Sequence, residues 1–188
     1  MRRVKEFQIL DINAIDNGLD IYHLMNNAGN SLAKHILAKF SDCNSFIFVC
    51  GKGNNAGDGY VAASILHDNN LDVIVINIED KIKPIPQKAL ELYKGRIESV
   101  NFLNTLSDSN TLIIDCLLGS GIKGEPKEPY REVIDKINKF KNILSVDVPS
   151  GFMKNTTVVP TQTITFHDTK LGMNKSNSGD IFVVDIGI

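Results

Sequence analysis

The amino-acid sequence predicts a doubly wound α/β domain, in which helices cover both faces of a mostly parallel sheet in three layers, α/β/α. Short runs rich in β-branched residues alternate along the chain with segments of helical periodicity. These runs lack the polar alternation of half-exposed strands and are typical of strands buried on both faces. No repeat, low-complexity tract or linker divides the sequence, so residues 1–188 are expected to form a single domain.

Apolar residues spaced three and four positions apart predict the helices. The clearest pattern includes Leu24, Ala28, Leu32 and Ile36 and predicts an amphipathic helix over residues 20–40. Prolines, which are favoured in the first turn of a helix, precede two of the others. The further helices are predicted over residues 6–16, 58–69, 86–95 and 130–140.

Short apolar runs predict the strands of the sheet. Because these runs alternate with helices, we expect crossover connections between parallel strands. The strands are predicted over residues 46–50, 73–76, 112–114, 143–146, 163–166 and 181–184. The segment 151–160 is expected to be a long loop.

Composition and charge limit the classes of function. The chain has 20 basic and 22 acidic residues and a net charge of −2, so its overall charge favours neither nucleic acid nor an anionic membrane. No apolar run approaches the roughly 20 residues that span a bilayer, and residues 1–6 lack a secretory signal, which predicts a cytoplasmic protein. Cys43, Cys50 and Cys116 have no metal-site spacing and predict neither disulfides nor structural zinc.

Candidate functional residues follow four of the predicted strands. In parallel sheets, ligands bind at the carboxyl ends of the strands, so function is expected in the residues that leave each strand. We call these segments the first to fourth strand exits. They are residues 51–59, 115–121, 147–151 and 165–172.

The first strand exit is rich in glycine and contains Asn54 and Asn55. Glycines let the backbone approach a ligand, and the start of the following helix offers N–H groups to a diphosphate. The carboxamides add oxygens for a monovalent cation or a ribose hydroxyl. A tight turn with Asp58 as helix cap is the simpler alternative. A P-loop is excluded because no Lys-Ser or Lys-Thr pair follows, and a partial dinucleotide fingerprint with Glu79 and Asp80 is weak evidence by itself.

The other exits add two acids and a lysine. Asp115 ends an apolar run, so its carboxylate needs a cation, hydrogen-bond donors or a proton. Asp147 ends the next strand and is expected to face the same crevice, although two unrelated turn residues are the alternative. Lys170, an ordinary exposed lysine if taken alone, becomes a candidate proton donor or acceptor beside two carboxylates. The four histidines, including His167, show no ligand spacing and are interpreted as surface or core residues.

The four strand exits together resemble the NAD(P)HX epimerase family, also called the YjeF N-terminal domain family. The motifs that carry the resemblance are Gly-x-Gly-Asn-Asn-x-Gly-Asp-Gly and Asp-x-Pro-Ser-Gly, with weaker similarity from Leu24 to Gly187. The resemblance implies a Rossmann-like fold and an isomerase that interconverts the R and S epimers of hydrated NADH or NADPH. It also implies a role in metabolite repair, in which a separate ADP- or ATP-dependent dehydratase restores the coenzyme.

The resemblance also assigns site residues. The potassium ion that members of the family bind would have Asn55, Asp115 and Ser150 as ligands, and this ion would compensate the charge of Asp115. Asp147 would reach the hydrated nicotinamide. The other substrate-binding residues would be Asn54, Asn55, Ala56, Gly57 and Asp58 in one wall, and Gly119, Ser120, Gly121, Ile122, Lys123, Gly124 and Glu125 in the other.

The chemistry that the resemblance implies is modest. The hydrated ring carbon carries a hydroxyl beside the ring nitrogen and can lose it to an iminium-like species that water attacks from either face. We expect Asp147 and Lys170 to exchange the proton of that hydroxyl as general acid and base. The sequence departs from the family pattern at Asn26, where Glu is usual, at Ala56, where Gly is usual, and in a shorter segment 151–162.

Two other interpretations stay open. The first is a catalytically silent nucleotide-binding or scaffold module of the same fold, against which the retained Asp115, Asp147 and Lys170 argue. The second is a nicotinamide dehydrogenase, which is disfavoured because no substrate-domain sequence follows. Bifunctional relatives continue beyond the position of Ile188, so a separate dehydratase partner is expected, and the amphipathic amino-terminal helices are compatible with a homodimer.

Overall fold

A seven-stranded sheet forms the centre of the structure, a computed structural model that describes residues 20–107 and 110–187. The strands are β1 (Ser45–Cys50), β2 (Asp72–Asn77), β3 (Arg96–Glu98), β4 (Thr111–Cys116), β5 (Ile143–Val146), β6 (Gln162–Phe166) and β7 (Asp180–Val184). The sheet has the order β3-β2-β1-β4-β5-β6-β7, and each neighbouring pair is parallel. The predicted doubly wound, mostly parallel sheet is therefore confirmed.

Five α-helices and one 3₁₀ helix, Val100–Thr105, belong to the described residues. The α-helices are α1 (Ile21–Lys39), α2 (Asn54–Asp68), α3 (Pro84–Leu92), α4 (Tyr130–Ile137) and α5 (Lys175–Ser178). The first four correspond to predicted helices, and the predicted helix over residues 6–16 lies outside the described residues. None of the helices in the two described ranges is long and apolar enough to span a bilayer.

Helix α2 begins at Asn54, earlier than the sequence predicts. Gly53 is its N-cap, in extended backbone and without a capping side chain. The alternative in which Asp58 caps this helix is therefore wrong, because Asp58 lies within the helix. The sequence favours a later start because glycine and asparagine have low helix propensity. As a result, Asn54 and Asn55 belong to the first helical turn rather than to a loop.

Alternate residues of each strand face opposite layers of the fold. In β1, Phe46 and Phe48 pack with helices α1, α2 and α3 on one face of the sheet. Ile47 and Val49 pack with α4 and the 3₁₀ helix on the other face. Both faces are buried, which explains why the strands appear in the sequence as continuous apolar runs.

Helices α1 and α2 pack at close range because two glycines lie between them. A Cβ atom at Gly29 would clash with Val61 Cβ and would lie 2.9 Å from the Asp58 carbonyl oxygen, so no larger residue fits there. A Cβ atom at Gly57 would meet the end of the Met25 side chain, which would have to move. The amino-terminal half of α1 is thereby held over the first turns of α2.

The direction of the strand order reverses between β1 and β4. Strands β2 and β3 lie on one side of this point, and β5, β6 and β7 lie on the other. In open α/β sheets, ligands bind in the crevice at the carboxyl ends of the strands at such a reversal. The first and second strand exits leave β1 and β4 at this crevice, and the third and fourth follow the neighbouring strands β5 and β6.

Candidate active site

A cavity of about 590 Å³ lies at the crevice, and residues of all four strand exits line it. The predicted site residues on its wall are Asn54, Asn55, Asp58, Gly119, Ser120, Gly121, Ile122, Asp147 and Lys170. The predicted site residues outside the lining are Ala56, Gly57, Asp115, Lys123, Gly124, Glu125 and Ser150. The structure thus brings the first, second, third and fourth exits together at one site.

The first turn of α2 forms part of the cavity wall through Gly53, Asn54 and Asn55. Backbone N–H groups in the first turn of a helix have no carbonyl of that helix to bind, and the helix dipole adds positive charge there. This part of the wall is therefore suited to an anionic group of a ligand. Ala56 and Gly57 are buried on the inner side of the same turn, and Gly57 packs on Met25.

The side chain of Asn55 connects three of the strand exits. Its Nδ2 donates a hydrogen bond of 2.8 Å to the carbonyl oxygen of Val146, the last residue of β5. Its Oδ1 lies on the side of Gly119, where a Cβ atom would be 3.5 Å from Asn55 Oδ1 and 3.8 Å from Asp147 Oδ2. Two side-chain oxygens therefore converge over the backbone of the second exit.

Asp115 is fully buried behind the cavity wall and accepts four hydrogen bonds. The donors are Ser145 Oγ at 2.8 Å, the Ser150 N–H at 2.9 Å, Ser150 Oγ at 2.5 Å and the Leu117 N–H at 3.3 Å. Burial raises the pKa of this carboxyl, and the hydrogen bonds from Ser150, Ser145 and Leu117 act in the opposite direction. The sequence predicts that a cation, hydrogen-bond donors or a proton must compensate the buried carboxylate. The structure provides the hydrogen-bond donors.

Ser150 attaches the third strand exit to the second, and Glu125 attaches the loop that follows the third exit. Ser150 Oγ, besides its bond to Asp115, accepts a hydrogen bond of 2.8 Å from the Leu118 N–H. The Glu125 carboxylate accepts hydrogen bonds from the backbone N–H groups of Asn155 and Thr156, at 3.1 and 3.3 Å. Glu125 therefore fastens the long loop of residues 151–160 and lies away from the cavity wall.

Lys170 is the most buried charged group on the cavity wall among the described residues, with 2% of its side chain exposed. Its Nζ donates to Thr165 Oγ1 at 2.7 Å and to the Phe166 carbonyl oxygen at 3.0 Å, and it forms an ion pair with Asp147 Oδ1. The Asp147 side chain is 17% exposed. The pair thus places one carboxylate at the wall of the cavity and supports it from behind with a buried cation.

A second set of polar and charged residues lines the cavity near the end of β1. Lys52 and Tyr130 both line the cavity, and Lys52 Nζ forms an ion pair of 3.2 Å with Glu79. Burial raises the pKa of the Tyr130 hydroxyl, and its hydrogen bond to Glu79 raises it further. Lys83 also lines the cavity, and its N–H donates to the Lys52 carbonyl oxygen at 3.0 Å. Two lysines therefore adjoin the start of α2.

Several residues on the wall are not identified from the sequence. They are Ile21, Leu24, Met25 and Ala28 of α1, and Lys52, Gly53, Lys83, Leu117, Leu118, Tyr130, Phe166, His167 and Ile186 elsewhere. The α1 residues are spaced three and four positions apart, so the helical pattern could have marked them as one apolar wall. His167, interpreted from the sequence as a surface or core residue, is half-buried and lines the cavity. The signal that could have identified it as a site residue is its position in the fourth strand exit. Lys83, Tyr130 and Ile186 come from segments without a distinguishing pattern.

Residues 21–172 match the model of a protein family described as YjeF-related protein N-terminus. The chain is 36% identical to the bifunctional NAD(P)H-hydrate repair enzyme Nnr of Methanocaldococcus jannaschii, over 98% of this chain and 39% of that protein. It is 38% identical to the NAD(P)H-hydrate epimerase of Plasmodium vivax, over 72% of this chain and 49% of that protein. The chain thus spans less than half the length of either relative.

The fold also matches a solved structure. A crystal structure of a yeast protein superposes with a TM-score of 0.83 and covers 95% of this chain and 86% of that chain, at 20% sequence identity. At this level of identity, the likeness is evidence for the fold alone.

Proposed function

Because the chain belongs to the YjeF-related protein N-terminus family, we propose that it is an NAD(P)H-hydrate epimerase. In this proposal it interconverts the R and S epimers of hydrated NADH or NADPH and serves nicotinamide coenzyme repair. The names of the two curated relatives support the substrate. The observation that carries the proposal is the buried Asp147–Lys170 pair on the wall of a cavity large enough for part of a dinucleotide.

The cavity has the features that a hydrated dinucleotide requires. The diphosphate binds at the first turn of α2, where Lys52 and Lys83 add positive charge. The substrate-binding residues are those of the segments 54–58 and 119–125, with Gly119 to Ile122 in direct contact with the ligand. The apolar wall from α1 covers the rings.

The Asp147–Lys170 pair supplies acid and base to the reaction. The epimerised carbon must lose its hydroxyl as water and regain one from water on the other face of the ring. Asp147 lies at the cavity wall and exchanges the proton of that hydroxyl together with Lys170, which also holds the carboxylate in place and balances its charge. General acid and base catalysis of this kind contributes about 10²- to 10⁴-fold in rate.

Potassium is the cofactor that we propose for this site. Asn55, Asp115 and Ser150 would hold it, since all three offer oxygen atoms, and hard oxygen ligands suit an alkali cation. The Ser150 hydroxyl can turn from Asp115 Oδ1 to the Leu118 carbonyl oxygen, 3.2 Å away. This rotation leaves a lone pair of the Asp115 carboxylate for the ion. When bound, the ion supplies positive charge that compensates Asp115 and connects three strand exits.

The same proposal includes the setting in which the enzyme acts. A separate ADP- or ATP-dependent NAD(P)H-hydrate dehydratase consumes one of the two epimers, which makes epimerisation useful to the cell. The enzyme acts in the cytoplasm, where the coenzymes are used, and the proposal is compatible with a homodimer. Light scattering of the purified full chain tests the assembly directly.

Chromatographic separation of the hydrated coenzyme epimers tests the activity. The wild-type chain is expected to bring a single epimer to the equilibrium mixture in the presence of potassium. Asp147→Asn keeps a residue that tolerates positive φ but removes the carboxylate, so we expect the rate to fall about 10²- to 10⁴-fold.

Asp135→Asn is the matched control, because Asp135 is exposed on α4 and does not line the cavity. This variant is expected to keep the wild-type rate. A wild-type chain that binds the hydrated coenzyme without turnover would instead favour a nucleotide-binding module of the same fold. Full activity in Asp147→Asn would remove this residue from the mechanism.

A further inference from the structure

Two tight turns of the same kind follow β5 and β6. At the end of β5, the Val148 N–H donates to the Val146 carbonyl oxygen at 2.9 Å, and the central residue Asp147 has φ +66°. At the end of β6, the Asp168 N–H donates to the Phe166 carbonyl oxygen at 2.9 Å, and the central residue His167 has φ +67°. Both are γ-turns with positive φ, a rare and strained conformation.

The two turns are also connected to the sheet in the same way. The Asp147 N–H donates to the Ile164 carbonyl oxygen of β6 at 2.8 Å, and the His167 N–H donates to the Val184 carbonyl oxygen of β7 at 2.9 Å. Each central residue is therefore bonded to the strand that follows its own in the sheet, and the two turns lie on neighbouring strands. Both residues line the cavity. The strained turn that presents Asp147 is thus repeated for His167.

Lys170 joins the two turns. Its Nζ forms the ion pair with Asp147, and it donates to the Phe166 carbonyl oxygen, which also closes the turn at His167. Strained backbone of this kind persists only where the surroundings fix it, and it concentrates at functional sites. Asp147 and His167 are accordingly held by one buried lysine as parts of a single constellation.

We propose that His167 is a second catalytic residue of this site, which contacts the hydrated nicotinamide and exchanges a proton with water. This inference rests on the proposed epimerase function and adds a group that neither the motifs nor the resemblance assigns. Epimerisation needs proton exchange on both faces of the ring, because the hydroxyl leaves from one face and returns on the other. His167 serves one face and the Asp147–Lys170 pair serves the other.

The proton balance is complete without a further reactant. On one face an acid protonates the hydroxyl, the carbon–oxygen bond breaks with its electron pair going to oxygen, and water leaves an iminium cation. On the other face water adds to the same carbon, and a base takes the proton from the added water. One acid becomes its conjugate base and one base becomes its conjugate acid, so solvent exchange restores both before the next turnover.

An imidazole is suited to both roles because it is the side chain that ordinarily titrates between about pH 5 and 8. A lysine whose donors are directed at fixed acceptors is less suited to give up its proton, and Nζ of Lys170 has three such acceptors. Asp168 follows His167 in the chain. The titratable groups that share the cavity wall with His167 are Lys52, Asp58, Lys83, Tyr130, Asp147 and Lys170.

The test compares His167→Asn with wild type in the epimer interconversion assay across pH. Asparagine tolerates positive φ, so the turn is expected to form, and His167→Gln is the second variant if the first folds poorly. We expect kcat to fall about 10²-fold or more, with KM changed little. The wild-type profile of kcat against pH is expected to have a limb in the range where imidazole titrates, and the variant is expected to lack it.

His23→Asn is the matched control, because His23 is exposed on α1 and lies outside the cavity wall. It is expected to retain the wild-type kcat and pH profile. If the wild type is active and the His167 variants keep both its kcat and the limb of the pH profile in the range where imidazole titrates, His167 does not have the proposed role. The epimerase assignment would then remain intact. A wild-type chain that does not interconvert the epimers would overturn both.

Discussion

Lys170 is a buried cation whose surroundings account for all three of its N–H donors. Two neutral oxygens, Thr165 Oγ1 and the Phe166 carbonyl oxygen, and the carboxylate of Asp147 accept from it. A charge that is removed from water costs several kcal/mol unless such partners are present. The site therefore depends on the fold to keep the lysine charged, and the fold depends on the lysine to keep two strained turns together.

Replacement of Lys170 by methionine tests this dependence. The variant leaves the Asp147 carboxylate and the Phe166 carbonyl oxygen without their cation, so we expect the free energy of unfolding to fall by about 3–5 kcal/mol. Urea denaturation measures the loss. Asp147→Asn combined with Lys170→Met removes both charges and is expected to be more stable than Lys170→Met alone, because no unpaired charge remains.

Lys175→Met is the control for this prediction. Lys175 forms an ion pair of 2.8 Å with Asp180, but the two side chains are 84% and 56% exposed. Solvent screens such a pair, so its removal is expected to change stability little. If Lys170→Met were no less stable than Lys175→Met, the ion pair with Asp147 would not hold the two turns together.

Single residues differ in how well the sequence identified them. Asp115 is recognisable because a charge is unexpected in an apolar strand, and Lys170 because two carboxylates are expected beside it. The role that we propose for His167 is not, since it rests on a backbone turn with positive φ. No rule of composition or spacing identifies such a turn at this residue.

At the scale of elements, the sequence predicts the position and type of the longer helices and strands, whereas it does not predict the shortest ones. Continuous apolar runs mark strands β1, β2, β4, β5, β6 and β7, and apolar spacing or a preceding proline marks helices α1 to α4. Strand β3 has three residues and helix α5 has four, which is too short for a period to appear. The start of α2 is missed for a different reason, because Gly53 and Asn54 begin a helix that tertiary contacts stabilise against low propensity.

The attachment of α1 to the edge of the sheet is expected to depend on pH. His35 of α1 forms a hydrogen bond of 2.9 Å with Gln162 of β6, and its ring lies 4.5 Å from that of Phe182 of β7. Burial lowers the pKa of His35, the bond to Gln162 partly opposes this, and Lys39 adds to the lowering. The folded state therefore holds this imidazole neutral at pH values where the unfolded chain takes up a proton.

The consequence is a loss of stability on acidification. Between the ordinary histidine pKa of about 6.5 and the lower value in the folded state, the unfolded chain binds more protons, so stability falls as the pH falls. His35→Leu removes this contribution and is expected to flatten the change in urea midpoint between about pH 7.5 and about pH 5.5. His23→Leu, at an exposed position of the same helix, is expected to keep the wild-type change. A wild-type slope in His35→Leu would assign the acid sensitivity to other groups.

At the scale of the whole molecule, parallel strands explain why residues far apart in sequence form one site. All carboxyl ends lie at the same edge, so polar residues that follow β1, β4, β5 and β6 must approach one another. The sequence therefore predicts the convergence of the four exits but not which of their residues reach the cavity. Asp115 and Ser150 lie behind the wall, and Lys123 to Glu125 turn away from it, because hydrogen bonds between loops decide these positions.

The potassium ion that we propose would link parts of the chain that lie far apart in the sequence. Asn55 lies in the first turn of α2, Asp115 is the next-to-last residue of β4 and Ser150 follows β5. An ion shared by the three residues would stabilise the folded chain and would have no equivalent site in the unfolded chain. Binding to the folded state alone raises the free energy of unfolding by about 2.7 kcal/mol at a concentration about 100 times Kd. We therefore expect potassium chloride to raise the thermal midpoint of the wild type above that in tetramethylammonium chloride at equal ionic strength.

Asp115→Asn separates this specific effect from general salt effects. In this variant the amide oxygen still accepts hydrogen bonds, whereas the amide nitrogen cannot accept from the backbone N–H group of Ser150 or Leu117, and the charge that attracts the cation is lost. Because the variant is less stable for that reason in both salts, only its difference between the two salts is compared. Its midpoint is expected to be the same in the two salts, as measured by differential scanning calorimetry. Equal midpoints for the wild type in both salts, or an undiminished potassium effect in Asp115→Asn, would mean that hydrogen bonds alone compensate Asp115 and that the three exits need no ion to stay together.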